Sequence, residues 1–480
     1  MADSMRDGGK VATRSYDAVI VGGSLAGCTA ATMLGRAGAR VAVLEKSPDP
    51  SNYKRICSHF IQASAVPTLE RLELVEPMEA AGAVRSRFNA HTPWGWIEPP
   101  PETAALAINL RREKLDPMVR EMAASTPGVE LLLGQTVTEL RRQGSTFHGV
   151  VAQDRDGVET VFEAPLTIGA DGRDSRIAKL SEVEVKTYPH GRFAYGGYFE
   201  ATMPPRADPT TASIWLMDPN WAAAFPTDDG LLFCAAMATM DRLPAFKADP
   251  EKALLAYFDE VPEGPALRSA RMAEDPGVMG KIDMTNRMRT PTAPGLALVG
   301  DAALATDPLF GVGCGWAFQS SEWLADAVAP ALRGEEALEI GLRRYRRRHR
   351  RHLRGHAWMI HDYATGRKMQ PPERLLFSGA ARDARSAKVF DAFGARQIGA
   401  AQMMTRGIPL SIAANARYAL GRRRRPEATA GTGPRVDADA RPGESAEASP
   451  GVAAQTHADA GAKRHAGEAA EARTGAGSRA

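Results

Sequence analysis

Little in this 480-residue chain points to a metal centre, a disulfide framework or a membrane span. Its four cysteines, Cys28, Cys57, Cys234 and Cys314, form no CxxC pair and no zinc-ligand spacing. A reducing compartment and no metal site are therefore expected. Charge of one sign is also scarce: 60 Lys and Arg against 57 Asp and Glu leave a net +3, which is no general field for nucleic acid. No stretch reaches the ~18 uninterrupted apolar residues of a transmembrane helix. Met1 to Arg14 lacks the apolar core of a signal peptide. These absences predict a soluble, cytoplasmic protein. A fully disordered chain is excluded too, because 44% hydrophobic residues can build a sizeable core.

The end of the chain lacks something different. After Leu420 there is no Leu, Ile, Met, Phe, Trp or Tyr. Such a segment cannot offset its ordering entropy by burial, so residues 425–480 are expected to be a disordered tail.

What is present begins with Tyr16-Asp-Ala-Val-Ile-Val21, short and apolar enough for a buried strand, followed by glycines and a helical stretch from Leu25 to Ala37. Gly38 stops that helix, and Val41-Ala-Val-Leu44 supplies a second strand ending in Glu45. Strand, glycine turn, helix and strand make a βαβ unit with a parallel sheet. Between about 185 and 290 the texture changes to short alternating segments, which predict a largely antiparallel sheet. The α/β pattern returns at 296–332. The expected layout is a flexible N-terminus (1–14), a Rossmann-like nucleotide-binding part (15–184), an interrupting β-sheet substrate domain (185–290), the resumed nucleotide-binding part (291–334), C-terminal helices (335–424) and the tail. The helices begin with a stripe at Leu338, Leu342, Tyr345, His349 and Leu353.

Gly22-Gly-Ser-Leu-Ala-Gly27 nearly fits GxGxxG, with Ser24 at the usual middle glycine, and Glu45 follows 18 residues after Gly27. Gly22 permits the tight turn, Gly23, Ser24, Ala26 and Gly27 let backbone approach a pyrophosphate, and the helix N-terminus favours its charge. Glu45, beside Lys46, would accept a hydrogen bond from a ribose hydroxyl. A glycine turn with no ligand is the plainer alternative.

Two distant stretches decide which dinucleotide is meant. Ile168-Gly-Ala-Asp-Gly-Arg-Asp-Ser-Arg176 contains Asp171 and Gly172. Leu298-Val-Gly-Asp-Ala-Ala303, carrying Gly300 and Asp301, continues into Pro308-Leu-Phe-Gly-Val-Gly313. Together with the glycine turn they resemble the motifs of the FAD-dependent superfamily of p-hydroxybenzoate-hydroxylase-like monooxygenases, geranylgeranyl reductases and flavin-dependent halogenases. The resemblance spans roughly 15–335 and implies FAD. It implies that Asp301 bonds the ribityl chain, and that Pro308, Gly311, Val312 and Gly313 lie against the flavin ring. It implies too that Arg112, in an R-x-x-L-D segment, reaches the cofactor; the alternative is a solvated helix charge. No second nucleotide-binding unit appears, so NADH or NADPH would bind transiently, or a partner flavin reductase would supply electrons.

Among the branches, Leu304 and Gly315 depart from the hydroxylases' GDAAH and GxGxN, while Gly311 to Ser320 resembles the reductase and halogenase run. Lys54-Arg-Ile-Cys57 is similar to the reductases' K-x-C-G, with Ser58 replacing the glycine. Ala223 stands where both branches place a second aromatic, and no halogenase lysine is matched. The expected activity is therefore monooxygenation of a hydrophobic or aromatic small molecule through a flavin hydroperoxide. A flavin-dependent ene reductase or dehydrogenase is the alternative, a halogenase ranks lower, and an FAD-binding scaffold without turnover is the non-enzymatic reading. By analogy with the reductases, Cys57 and His59 are candidates to face the flavin, against the simpler readings of a small buried hydrophobe and a loop residue. Phe193, Tyr198, Trp215, Trp221 and Phe225 are candidates to line a substrate pocket, although each could serve packing alone.

Arg343 to Arg354 carries eight arginines in twelve residues. A solvated helix face is the plain reading. An anionic partner, such as a carrier protein, a membrane surface or nucleic acid, is the other. Met403 to Leu420, followed by Arg422 to Arg425, leaves room for peripheral membrane contact. No interleaved aromatics of a nucleic-acid platform accompany it, so no nucleic-acid partner is expected.

Overall fold

The structure is a computed structural model that describes residues 11–201 and 209–424; the expected tail at 425–480 lies outside the described residues. The central sheet places its strands in the order Thr292–Ala293, Leu296–Leu298, Leu166–Gly169, Ala18–Val21, Val41–Glu45 and Val129–Leu133. All pairs are parallel except the short Thr292–Ala293 edge, with Ile20 opposite Ile168 on one side and Val43 on the other. Ala18–Val21 is buried along its whole length, as a strand covered on both faces must be, which explains its unbroken apolar run. The helices Leu25–Arg36 and Gly313–Leu332 pack together on one face, where Cys28, Leu34, Phe318 and Leu324 belong to one core.

The segment expected as a flexible N-terminus, 1–14, is corrected at its end. Ala12–Ser15 is a strand, paired parallel with Glu159–Glu163 at the edge of a four-stranded sheet. Arg14 anchors it through two hydrogen bonds to Glu130.

The antiparallel sheet expected at 185–290 has eight strands and draws on more of the chain than that range. Arg192–Glu200, Leu232–Thr239, Asn220–Pro226 and Ala212–Met217 are successive neighbours, and the hairpin Phe88–Thr92/Gly95–Ile97 joins their far edge. Phe88–Thr92 pairs parallel with Ala212–Met217, so the Trp94-Gly-Trp96 turn belongs to this sheet although its numbering falls in the first part of the chain. One face carries Trp221, Phe225 and Phe233; the other carries Phe193, Trp215 and Ala236 against the helices Leu243–Ala248 and Pro250–Asp259.

Behind the sheet runs the arginine-rich helix Leu338–Tyr363, whose predicted stripe is buried at Leu342, Tyr345, His349 and Leu353. Its arginines are exposed, and two of them are matched, Arg344 to Glu336 and Arg348 to Asp326. The helices Pro371–Ala380, Ala384–Gly394 and Ile408–Arg424 then fold back, and Phe377 and Ala387 enter the same core as Trp221. Met403–Gly407 is a π-helical turn joining the last pair. No helix among the described residues is long and apolar enough to cross a membrane.

The arginine-rich helix also buries three histidines. Burial pushes the His349 and His361 imidazoles down to about 4 and, with Arg396 nearby, His356 to about 3. An unfolded chain binds protons on these groups below about pH 6.5 whereas the folded one stays neutral, so their contribution is intact above that value and is lost as pH falls toward 4. Each should cost about 1 to 2 kcal/mol by roughly pH 5. Thermal melting at neutral and acid pH checks this: His349→Leu should shrink the acid-induced drop in Tm, and an unchanged drop would show that His349 is not one of its sources.

Candidate functional site

At the end of Ala18–Val21 the chain turns back on itself with φ +106° at Gly22. A Cβ at Gly22 would sit 2.5 Å from the carbonyl oxygen of Ala170, and one at Gly27 would sit 1.8 Å from that of Gly22. The turn is thus packed backbone against backbone, on itself and on the Ala170–Gly172 loop, and tolerates no side chain at either place. Glu45 is aimed at this turn: its Oε2 accepts the Gly23 N–H at 2.7 Å and its Oε1 the Ser47 N–H at 2.9 Å. Lys46, its neighbour, is exposed and lines no part of the cleft described next.

The helix Leu25–Arg36 starts at Ser24 with no side-chain cap and no acidic residue in its first turn. The helix Gly313–Leu332 starts at Val312 in the same condition. Both N-termini open on one cleft of about 190 Å³, lined by Ser24, Ala26, Asp301, Pro308, Gly311 and Gly313 among others. Unspent N–H groups from two helices in one cleft make a place for an anionic, polar ligand. Gly172 and Arg173 border it, whereas Asp171 turns away: its two oxygens accept from the Ser175 hydroxyl (2.6 Å) and the Ile177 N–H (3.0 Å) at the head of the next helix. The sequence expectation that Asp171 faces the ligand is corrected accordingly; the carboxylate is consumed by a helix start. Asp301 does face the cleft, with Lys54 Nζ at 3.7 Å. Gly300, at φ +55°, lets the GD turn approach Ala26, whose Cβ lies 3.0 Å from where a Gly300 Cβ would be.

Arg112 is 4% exposed, so it is no solvated helix charge. Its Nε donates to Asp116 Oδ1 at 2.7 Å, its Nη2 to Ser24 Oγ at 2.8 Å, and its Nη1 lies 3.8 Å from Cys314 Sγ. Burial disfavours the charge, yet Asp116 and the two nearby thiols outweigh that and hold the guanidinium above its ordinary value. The other Asp116 oxygen accepts the Lys54 N–H at 3.0 Å, fixing the 54–59 loop.

Cys57 and His59 sit on that loop. Cys57 lines the cleft, and its Sγ lies 3.5 Å from Cys314 Sγ. The Cys314 thiol, then the cations Arg112 and Lys54, hold Cys57 below the usual thiol range despite burial, while Cys314 is raised. His59 is buried outside the cleft lining, at φ +59°. Its Nδ1 accepts the Arg112 N–H at 2.9 Å, which places the proton of the neutral ring on Nε2, facing the Tyr198 hydroxyl. Burial keeps the ring neutral. His59 therefore positions the start of the Arg112 helix.

Across Phe60 and Gly311, which line both spaces, lies a second cavity of about 420 Å³. Trp221 and Phe225 form part of its wall, as the sequence suggests. Phe193 and Trp215 do not: they lie in the opposite core, because alternation along their strands sends them to the far face of the sheet. Tyr198 points toward this side but is occupied with His59. The C-terminal helices close the far side, with Phe377, Phe390, Phe393 and Met403 in the wall.

Two charged residues in that wall escape a motif-based reading. Asp391 is 3% exposed; its Oδ2 accepts the Ala105 N–H at 3.0 Å, and burial pushes the carboxyl up to about 6. Arg396 is pushed down to about 9 by burial. The signal was Asp391 itself, four residues after buried Ala387 on the inner stripe of its helix, where a carboxylate is out of place.

A family model described as FAD binding domain matches residues 15–359. The chain belongs to the FAD-binding-domain family. It is an FAD-dependent oxidoreductase, and the cleft suits FAD: two uncapped helix N-termini, a turn with no room for side chains and a buried arginine. The kynurenine 3-monooxygenase of Salinispora arenicola is 26% identical over 321 residues, 63% of this chain and 70% of that protein. The digeranylgeranylglycerophospholipid reductase 2 of Methanothermobacter thermautotrophicus is 26% identical over 351 residues, 70% of this chain and 84% of the relative. In fold, a flavin-dependent brominase superposes with a TM-score of 0.68 at 18% identity, covering 85% of this chain and all of its own.

The Arg112–Asp116 pair makes a direct prediction. Arg112→Met leaves Asp116 charged and buried, which should cost about 3 kcal/mol or more in urea unfolding. Arg112→Met/Asp116→Leu should recover much of the loss; a double variant no more stable than the single one would show that the pair's charges are not what matters.

Proposed function

We propose that the protein is an FAD-dependent monooxygenase that hydroxylates or epoxidises a hydrophobic or aromatic small molecule. The observation that carries this reading is the apolar cavity of about 420 Å³ meeting the FAD cleft at Phe60 and Gly311. In this reading the Gly22–Gly27 turn and the first helix N-terminus hold the pyrophosphate, with Glu45 toward the ribose. Arg112 and Asp301 reach the rest of the cofactor chain, and Pro308 to Gly313 faces the ring. The second helix N-terminus would there favour the negative charge that a flavin gathers on reduction. When bound, FAD would supply the redox chemistry, by which two electrons from the donor and two protons let one atom of dioxygen enter the substrate and the other leave as water.

The protein's share is placement and exclusion of water. Phe60, Trp221, Phe225 and Phe310 wall the substrate cavity with carbon, and Trp221 and Phe310 meet edge to face at 5.2 Å. His59 fixes the Arg112 N–H, so the cation below the cavity stays in register with the glycine turn. The electron donor in this reading is NADH or NADPH, or a partner flavin reductase. A second reading, an ene reductase, is favoured by the paired Cys57 and Cys314 on the cleft wall, where the Cys314 thiol holds a proton for delivery.

Asp301→Ala should lower the FAD retained through gel filtration several-fold while leaving the far-UV spectrum unchanged; wild-type occupancy would remove Asp301 from the cofactor site. To separate the two reactions, the holoprotein is reduced by NADH or NADPH and given labelled dioxygen with a panel of apolar dienes and arenes. Monooxygenation adds one labelled oxygen atom to a product. Addition of two hydrogens without label would replace it with the reductase reading.

A further inference from the structure

The substrate cavity contains a cation without a counter-ion. Among its lining residues, Arg367 is matched by both Asp362 and Glu373. Arg396 makes no ion pair with any described carboxylate. Its Nη1 donates to the Phe393 carbonyl at 3.1 Å and faces His356 Nδ1 at 3.3 Å, and its Nε is buried with no partner. Its guanidinium lies 5.2 Å from the Phe310 ring centre and 5.7 Å from that of Phe393. A neutral imidazole, one carbonyl and two ring faces are weak compensation for a charge taken from water.

The backbone adds to the cost. Arg396 follows Ala395, which caps the helix Ala384–Gly394, and adopts φ +63°, the left-handed conformation that this position usually gives to glycine. An unpaired, strained, inward-turned arginine is expensive to keep unless something occupies it. It lies in the C-terminal helices, outside the family-matched range 15–359. Phe310 also ties it to place, since Gly311, the next residue, lines the FAD cleft.

We propose that Arg396 anchors an acidic group of the substrate, which makes the substrate an organic anion, a carboxylate or an acidic phenol, with an apolar body. The acidic end sits beside Phe310, nearest the cofactor, and the apolar body extends along Ile214, Phe377 and Met403. Asp391, already held by the Ala105 N–H, leaves its own part of the wall unsuited to a second anionic group. This assignment rests on the reading of the cavity as the substrate site of an FAD enzyme.

The test uses the full-length, FAD-loaded protein and three probes of one shape: 2-naphthoate, 2-naphthalenemethanol and 2-naphthylmethylamine. Binding is followed by perturbation of the flavin absorbance and by the rise in Tm. The acid should bind at least about tenfold more tightly than the alcohol. Arg396→Gln should abolish that preference, and Arg396→Lys should keep part of it. Equal binding of acid and alcohol, or an acid preference unchanged in Arg396→Gln, would overturn the anchor while leaving the cavity as the substrate site. A preference for the amine would overturn it in favour of Asp391. If no probe perturbs the flavin, and Ile214→Trp changes nothing, the cavity reading fails and the anchor with it. Should Arg396→Gln not fold, the probe preference of the wild-type protein and of Arg396→Lys still decides.

Discussion

The buried guanidinium of Arg112 joins four parts of the chain that are far apart in sequence. It pairs with Asp116 on its own helix, donates to Ser24 at the glycine turn, approaches Cys314 at the second uncapped helix, and through its own N–H holds His59. A charge so placed survives only because Asp116 is beside it, and Asp116 in turn takes the Lys54 N–H. The cleft is therefore an electrostatic assembly before any cofactor enters it. Its polar groups are spent on one another in a way that leaves the two helix N-termini free, which is the feature an anionic dinucleotide needs.

The second space is built on the opposite principle. One wall is the sheet face that carries Trp221 and Phe225, with Ala222 and Ala224 turned to the opposite core, and the C-terminal helices close over it. The alanine at 223, where the related motifs carry an aromatic, is buried in this layer. Phe377, Phe390 and Phe393 line the cavity from the C-terminal side. Cavity shape thus depends on helices that have no counterpart in the FAD-binding motifs.

That difference explains what was legible in the sequence. The turn at Gly22 to Gly27, the GD segment and the parallel sheet were readable because backbone geometry there admits few residue types, and the spacing of glycines records it. Asp171 was readable as a motif but not in its role, since a carboxylate near a helix start can cap the helix or face a ligand with the same sequence signature. Strand register is what decides between pocket and packing for Phe193 and Trp215, because one position of slip sets which face a side chain takes. Phe88 to Ile97 joined the far sheet by a parallel pairing that no local pattern announces.

The C-terminal cover raises a last question of economy. Asp391 and Arg396 lie five residues apart, carry opposite charges and line one cavity, yet Asp391 takes the Ala105 N–H and Arg396 the Phe393 carbonyl. A continued helix would have carried Arg396 about 140° round the axis from Asp391, off the three- and four-residue spacings at which side chains meet. Instead the helix ends at Gly394, and the left-handed turn at Arg396 redirects its side chain toward Phe310 and His356 while Asp391 keeps the Ala105 N–H. Pairing them would have cancelled two desolvation costs at once. Holding them apart keeps each ionisable group separately available to whatever fills the cavity, at a cost in stability that packing of Phe377, Phe390 and Phe393 must cover.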